Sequence, residues 1–500
     1  MEALLANLGL GFSVALSPIN FLYCFMGVVL GTLIGVLPGI GPVATIAMLL
    51  PVTFTLPPIS ALIMLAGIYY GAQYGGSTTA ILVNLPGESA SAVTTIDGYQ
   101  MARQGRAGAA LGIAAIGSFF AGCAATIVIA LFAPPLAEVA LKFGPAEYFS
   151  LMVVGLVAAT VLAHGSLIKA IAMTILGLLL GIVGTDVNSG VARFSFGVSE
   201  LSDGIGFVAV AMGMFGFAEI IANLDQKANR DVFVAKVTNL LPTMHDLKVC
   251  TPSILRGTIL GSALGILPGG GALLAAFAAY ALEKKSVKDN SQFGKGDIRG
   301  VAAPEAANNA GAQTSFIPLL TLGIPSNPVM ALMIGAMMIQ GIAPGPQVMT
   351  ERKELFWGMI ASMWVGNLML VVLNLPLIGM WVKLLSVQYR ILYPAILLFC
   401  CIGVFSLNNS NFDILMTVAF GVFGYICVKL ECEPAPLILG FILGPMMEEN
   451  LRRAMLLSRG DPIVFFTRPI SAVLLGVAII LLLMMLAPAF KKTREKAFVE

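Results

Sequence analysis

The stretch GVLPGIGPV (Gly35–Val43) returns 230 positions later as GILPGGGAL (Gly265–Leu273). Each copy sits in an apolar run that otherwise favours helix. Proline removes a backbone donor and clashes with the preceding turn, and glycine weakens the helix further, so each cluster predicts a helix break. Irregular backbone inside a membrane is tolerated only where protein or a water-filled cavity satisfies it.

Composition puts these breaks in a membrane. Hydrophobic residues make up 58% of the 500 and charged residues 11%, and the mean hydropathy is +0.93. A soluble domain has roughly 45–50% apolar and 25% charged residues. Apolar runs such as Ala109–Phe132, Leu355–Leu375 and Ile470–Leu486 recur along the chain. They predict roughly ten to twelve membrane-embedded segments. The N-terminus has an acid at Glu2 and no basic region, and reads as a first membrane helix rather than a removed signal. The seven cysteines lie mostly in apolar runs without metal-ligand spacing, which suits packing.

Basic residues set orientation. They crowd into 225–256 (Lys227, Arg230, Lys236, Lys248, Arg256), into 284–299 (Lys284, Lys285, Lys288, Lys295, Arg299) and into the tail KKTREK, all expected in the cytoplasm. Two cytoplasmic loops flanking residues 257–283 require that segment to enter and return, and two full crossings need about 40 residues. It therefore reads as a re-entrant hairpin with its tip at 267–271. The first copy, tip at 37–42, lies between uncharged flanks and is expected to enter from the opposite face. The same motif on opposite sides is the mark of an inverted repeat.

The repeat extends past the tips. Gly71-Ala72-Gln73 precedes Leu85-Pro86-Gly87-Glu88-Ser89, and Gly311-Ala312-Gln313 precedes Ile324-Pro325-Ser326-Asn327-Pro328. The second offset is close to 240. The expected fold is an all-α polytopic membrane protein of two inverted-topology repeats, 1–222 and 257–490, joined by a cytoplasmic linker at 223–256 and followed by a cytoplasmic tail at 491–500. Each repeat holds a re-entrant hairpin followed by a discontinuous transmembrane helix, broken at 84–89 and 323–328, as in an elevator-like secondary transporter.

Paired breaks point to a transporter's binding site, because half-helix N-termini attract anions and freed carbonyls coordinate cations. The candidate substrate and ion ligands are Gly39, Gly41, Gln73, Ser77, Thr78, Asn84, Pro86, Gly87 and Ser89 in the first half. In the second they are Gly269, Gly270, Gly271, Asn308, Asn309, Gln313, Thr314, Pro325, Ser326 and Asn327. A sodium ion is expected near Asn84, Gly269 and Asn327. Any single Gly or Thr among them is equally well explained by helix packing; the four duplicated breaks together favour a site. Glu219 reads as a solvated helix end or a coupling group, and Glu305 as a helix cap or a coupling group. The patch Glu448–Arg453 reads as internal ion pairs or a docking surface. No basic residue is obvious at the breaks; Arg103, Arg106 and Lys169 are unranked candidates to neutralise a substrate.

GVLPGIGP, YYGAQYGGSTTAILVNLPGE, GILPGGGA, PEAANNAGAQTSFIPLLTLGIPSNPVMALMIGA and PAPLILGFILGPMMEENLRRAMLLSRGDPIVFFTRPISAVLL together resemble the large permease subunit of bacterial tripartite tricarboxylate transporters. The similarity runs from about residue 10 to 490. The resemblance implies work in the inner membrane with a small four-helix membrane subunit and a periplasmic solute-binding protein that delivers a carboxylate. It also implies uptake driven by an ion gradient, generally sodium, with no other cofactor. The chain holds no G-x-x-x-x-G-K-[ST] loop, which agrees with a secondary mechanism. Proton coupling, or a non-transporting sensory or channel protein, are the alternatives. An enzyme is disfavoured, since His164 and His245 stand apart without a nucleophile or metal set.

Overall fold

The computed structural model describes residues 2–37, 41–163, 166–186, 189–225, 237, 240–267, 271–384 and 389–486. Among these the chain is helical almost throughout, with one two-stranded antiparallel ribbon pairing Gly184–Thr185 with Ala192–Arg193. The all-α membrane architecture expected from composition is what the chain adopts. Four helices are long and apolar enough to cross a bilayer: Pro18–Gly35, Ala107–Ala140, Lys353–Asn374 and Asn411–Lys429. Seven further apolar helices have 10–17 residues. A helix satisfies its own backbone, the condition that hydrocarbon imposes.

Prolines start several helices, among them Pro42 and Pro328 from the predicted tip and break. Pro18, Pro42, Pro58, Pro145 and Pro328 each stand in the first turn of a helix, where the missing N–H has no intrahelical partner to lose.

Two glycine seams organise the centre. In the first, the Pro18–Gly35 helix lies along Pro58–Val83 so closely that a Cβ on Gly27, Gly31 or Gly35 would strike the carbonyl of Met64, Ile68 or Ala72. In the second, Met244–Gly265 lies along Arg299–Thr314, and Gly257, Gly261 and Gly265 meet the carbonyls of Ala303, Ala307 and Gly311. The packing register therefore repeats at 230 on one helix and 239 on the other. Matching the Gly-Ala-Gln motifs by identity is one residue out, since Ala72 corresponds to Gly311. Gln73 and Gln313 consequently project about 100° apart on equivalent helices.

In each seam the chain that leaves the first helix forms a second arm, Pro42–Phe54 in the first case and Gly271–Ser286 in the second. The arms of the second hairpin pack along one another, whereas those of the first are splayed, and Pro42–Phe54 packs instead on Pro328–Ile339 and Tyr389–Asn408. The expected linker at 223–256 is too long. Helix begins at Met244, because Thr243 and Asp246 form a reciprocal cap in which Thr243 Oγ1 accepts the Asp246 N–H (3.1 Å) and Asp246 Oδ2 accepts the Thr243 N–H (3.0 Å). His245, two residues into this helix, is exposed, and His164 lies outside the described residues.

Candidate functional site

The two helix breaks have the same backbone. The Pro58–Val83 helix ends at Asn84, in the left-handed region (φ 59°, ψ 30°), and its equivalent at the 239 offset, Gly323, is also left-handed (φ 70°, ψ 25°). Asparagine and glycine are the residues that accept this conformation as a helix stop. The chain then crosses as Leu85-Pro86-Gly87 or Ile324-Pro325-Ser326 and reaches an extended residue, Glu88 (φ −144°, ψ 164°) or Asn327 (φ −155°, ψ 171°). Helix resumes at Ser89–Ser91 and Ala92–Arg103 in the first break and at Pro328–Ile339 in the second. Gly87 has no room for a side chain, since a Cβ there would meet Gly35 and Gly76. Asn327 caps its helix, with Oδ1 accepting the Met330 N–H (3.0 Å) while Nδ2 donates to Ser315 Oγ (3.0 Å).

Both tips and both breaks meet at one cavity of about 460 Å³, within the range of small-molecule sites. Its walls include the first turns of three helices: Gly41-Pro42-Val43, Gly271-Ala272-Leu273 and Asn327-Pro328-Val329. Pro86 to Ala90 and Tyr69 complete one side, and Ala159, Ala163, Phe215, Glu219 and the run Glu433–Pro436 the other. Three carboxylates, Glu88, Glu219 and Glu433, line it, and no Lys, Arg or His does among the described residues. The Glu219 carboxylate lies close to the backbone N–H of Gly41 at the first tip. It directly follows a π-helical stretch, Met212–Phe217, a distortion common at functional sites.

Of the residues singled out in sequence, Gly41, Pro86, Gly87, Ser89, Gly271 and Asn327 line the cavity. Gln73, Ser77, Thr78, Asn308, Asn309, Gln313, Thr314, Pro325 and Ser326 are buried behind it. Gly39, Gly269 and Gly270 lie outside the described residues. Asn84 is exposed and does not line the cavity. The expected sodium trio is thus not assembled as such: Asn84 is away, and the Asn327 oxygen is committed to its cap. Among the described residues no group of three His, Cys, Asp or Glu side chains forms a metal cluster.

Glu305 is not a cap. It is the seventh residue of Arg299–Thr314, 1% exposed, and its carboxylate accepts Ser77 Oγ and Thr94 Oγ1, each at 2.5 Å. Asn308 Nδ2 donates to Glu88 Oε1 (2.9 Å), and Asn309 Nδ2 to Ser118 Oγ (2.7 Å). Arg106 pairs with Asp246 (2.7 Å) and Lys169 Nζ donates to the Leu430 carbonyl (2.6 Å), so neither reaches the cavity. Arg103 is exposed. In the Glu448–Arg453 patch the charges pair internally: Glu448 with Arg193 and Arg452 (2.7 Å each), Arg452 with Asp186 (3.2 Å), and Arg453 with Glu449.

Sequence reasoning missed Glu88 and Glu433 as cavity residues. A carboxylate beside a helix break in an apolar run was the available signal for Glu88. It also missed Asp97, fully buried, whose Oδ1 accepts the N–H groups of Gly294 (2.8 Å), Gly296 (2.8 Å) and Asp297 (2.9 Å) while Oδ2 accepts the Tyr280 hydroxyl (2.9 Å). This carboxylate clips the loop after the second hairpin to the first broken helix.

A family model described as the tripartite tricarboxylate transporter TctA family matches residues 21–439. The chain belongs to the TctA family. It is 60% identical, over the full length of both chains, to an uncharacterized 52.8 kDa protein in the TAR-I ttuC' 3' region of Agrobacterium vitis. It is also 58% identical over 240 residues to an uncharacterized protein in the TAR-II ttuC' 3' region of the same organism, covering 48% of this chain and 99% of that one. No solved structure matches the chain. Membership of the TctA family makes this a membrane subunit of a transporter family.

Proposed function

We propose that this chain is the permease subunit of a binding-protein-dependent secondary transporter that takes up di- or tricarboxylates of the citrate type by sodium symport. The observation that carries the reading is the meeting of three helix N-termini, at Pro42, Gly271 and Pro328, on one cavity that no Lys, Arg or His among the described residues lines. Aligned peptide dipoles and free N–H groups favour a carboxylate there without arginine or lysine. The cavity's own carboxylates oppose an anion, so a cation must enter with it. That conflict is the physical reason for coupling.

The equivalent backbone at the two breaks and the repeated register of the two seams support an inverted repeat, with the tips entering from opposite faces. Alternating access would then move the two hairpins and two broken helices as a transport core against the remaining helices. A small four-helix membrane subunit and a periplasmic solute-binding protein are the proposed partners, in the bacterial inner membrane with the C-terminus in the cytoplasm. Glu219, on the cavity wall beside the first tip, favours proton coupling as the second reading.

Uptake of labelled citrate and of C4 dicarboxylates into proteoliposomes holding the chain and its two partners tests this. Sodium-driven uptake is expected. Uptake driven equally by a proton gradient without sodium would establish the second reading. A chain that moves no carboxylate under either gradient is a sensor or structural subunit, and the transport reading fails.

A further inference from the structure

The seam between Pro58–Val83 and Arg299–Thr314 buries more polar groups than it pairs. The helices run antiparallel: Tyr70 meets Phe316, just past the second helix, with ring centroids 6.2 Å apart, and Ser77 reaches Glu305 at 2.5 Å. Between these crossings lie Gln73, with neither side-chain oxygen nor nitrogen partnered, and Asn308, with its Oδ1 unpartnered. Both are at most 1% exposed. Unpaired buried amides are rare in native proteins and point to a group that answers them.

The charge in this seam tells which group. Asn308 Nδ2 donates to Glu88 Oε1, so the unpartnered Oδ1 of the same amide stands beside that carboxylate. Glu88 lines the cavity, which gives a path of entry. Glu305 adds a second buried carboxylate, held by hydroxyls alone. Among the described residues no ion pair to a basic side chain balances either acid, and buried charge without a counter-charge is strongly unfavourable. A water molecule would satisfy the amide oxygens and leave the charge.

We propose that Glu88 and the Oδ1 of Asn308, completed by the Oε1 of Gln73, form a binding site for a small monovalent cation of the sodium class. Carboxylate and amide oxygens are hard donors, suited to such an ion. One cavity-facing carboxylate sets its charge, because Glu305 already accepts two hydroxyl donors. The site rests on the cation-coupled reading above and gives it an address, on the wall of the first break rather than at Asn327.

The test uses the purified chain in detergent, without partners or carboxylate, heated in sodium chloride or in choline chloride at equal ionic strength. Sodium is expected to raise the unfolding midpoint saturably above choline. Glu88→Gln should abolish that increment, and Asn308→Ala and Gln73→Ala should each raise the half-saturating sodium concentration about tenfold. If Glu88→Gln does not fold, Asn308→Asp replaces it: an added carboxylate oxygen should lower the half-saturating concentration, which a merely structural amide would not do. No sodium-specific stabilisation of the wild type, or unaltered half-saturation in Asn308→Ala and Gln73→Ala, overturns the site. Sodium-driven uptake with unaltered sodium dependence in those variants overturns the site and leaves the transport reading. Sodium binding as described with no carboxylate uptake does the reverse.

Discussion

Glu88 and Asn327 occupy the same place in two breaks with nearly the same dihedrals, and both line the cavity. One offers a negative carboxylate, the other an amide that caps the following helix and points its nitrogen at Ser315. The two breaks thus share a backbone device, a left-handed stop followed by an extended residue, and differ in the side chains they carry on it. The seams behind the breaks differ in the same way. In the first, glycines stand on both helices, Gly27, Gly31 and Gly35 facing Gly67, Gly71 and Gly75; in the second, Gly257, Gly261 and Gly265 recur but the 239-offset equivalents of the facing glycines are Ala306, Ala310 and Thr314. Close approach needs a glycine on one side only, and the other side tolerates alanine.

The strongest way to break this comparison is to fill the seams. Gly31→Val and Gly261→Val each drive a side chain into a backbone carbonyl that cannot yield. Each should lose about 3 kcal/mol or more, enough to remove folded protein from a size-exclusion trace taken after a heat step. Tolerance of valine at Gly261 but not at Gly31 would show that the seams are not equivalent.

Next comes the clip that only one break carries. Asp97 lies in the first broken helix, and its 239-offset equivalent is Ala336. Asp97→Ala strips four hydrogen bonds at once and should cost about 2–4 kcal/mol, with faster proteolysis in the loop at 287–298. A loop as protected as in the wild type would mean that Arg299, bonded to Asp297 and to the Asp289 carbonyl, holds it unaided.

Smaller again is the cap. Asn327→Ala should lower stability by about 1 kcal/mol and, since the residue lines the cavity, should reduce carboxylate uptake more than its stability loss explains. Uptake at the wild-type rate would confine Asn327 to capping. The least effect is expected at Asn84→Gly, which installs the residue found at Gly323 and should change stability by a few tenths of a kcal/mol; a loss above about 1 kcal/mol would separate the two stops.

Much of this was legible in the chain. The breaks were readable because proline and glycine act locally, and the membrane setting because hydrocarbon demands apolar side chains in runs. The offset of the second motif was off by one, since identity of letters does not report which face of a helix is packed. From its place after a basic loop Glu305 reads as a helix cap or a coupling group, and the start of the helix at Arg299 removes the cap. Glu88 sat in plain view at the break and was passed over for its polar neighbours.

The sequence by itself determined the class of protein and the places where the helices at the two breaks stop. These follow from backbone chemistry and from hydropathy, which act within a few turns of chain. Only the tertiary structure decided that three helix N-termini share one cavity with three carboxylates and, among the described residues, no basic side chain. It also left the Asn308 Oδ1 unpartnered on the amide that donates to Glu88, and both polar atoms of the Gln73 amide unpartnered. Those facts join residues more than two hundred positions apart, where no local propensity reaches and only helix packing sets the distance.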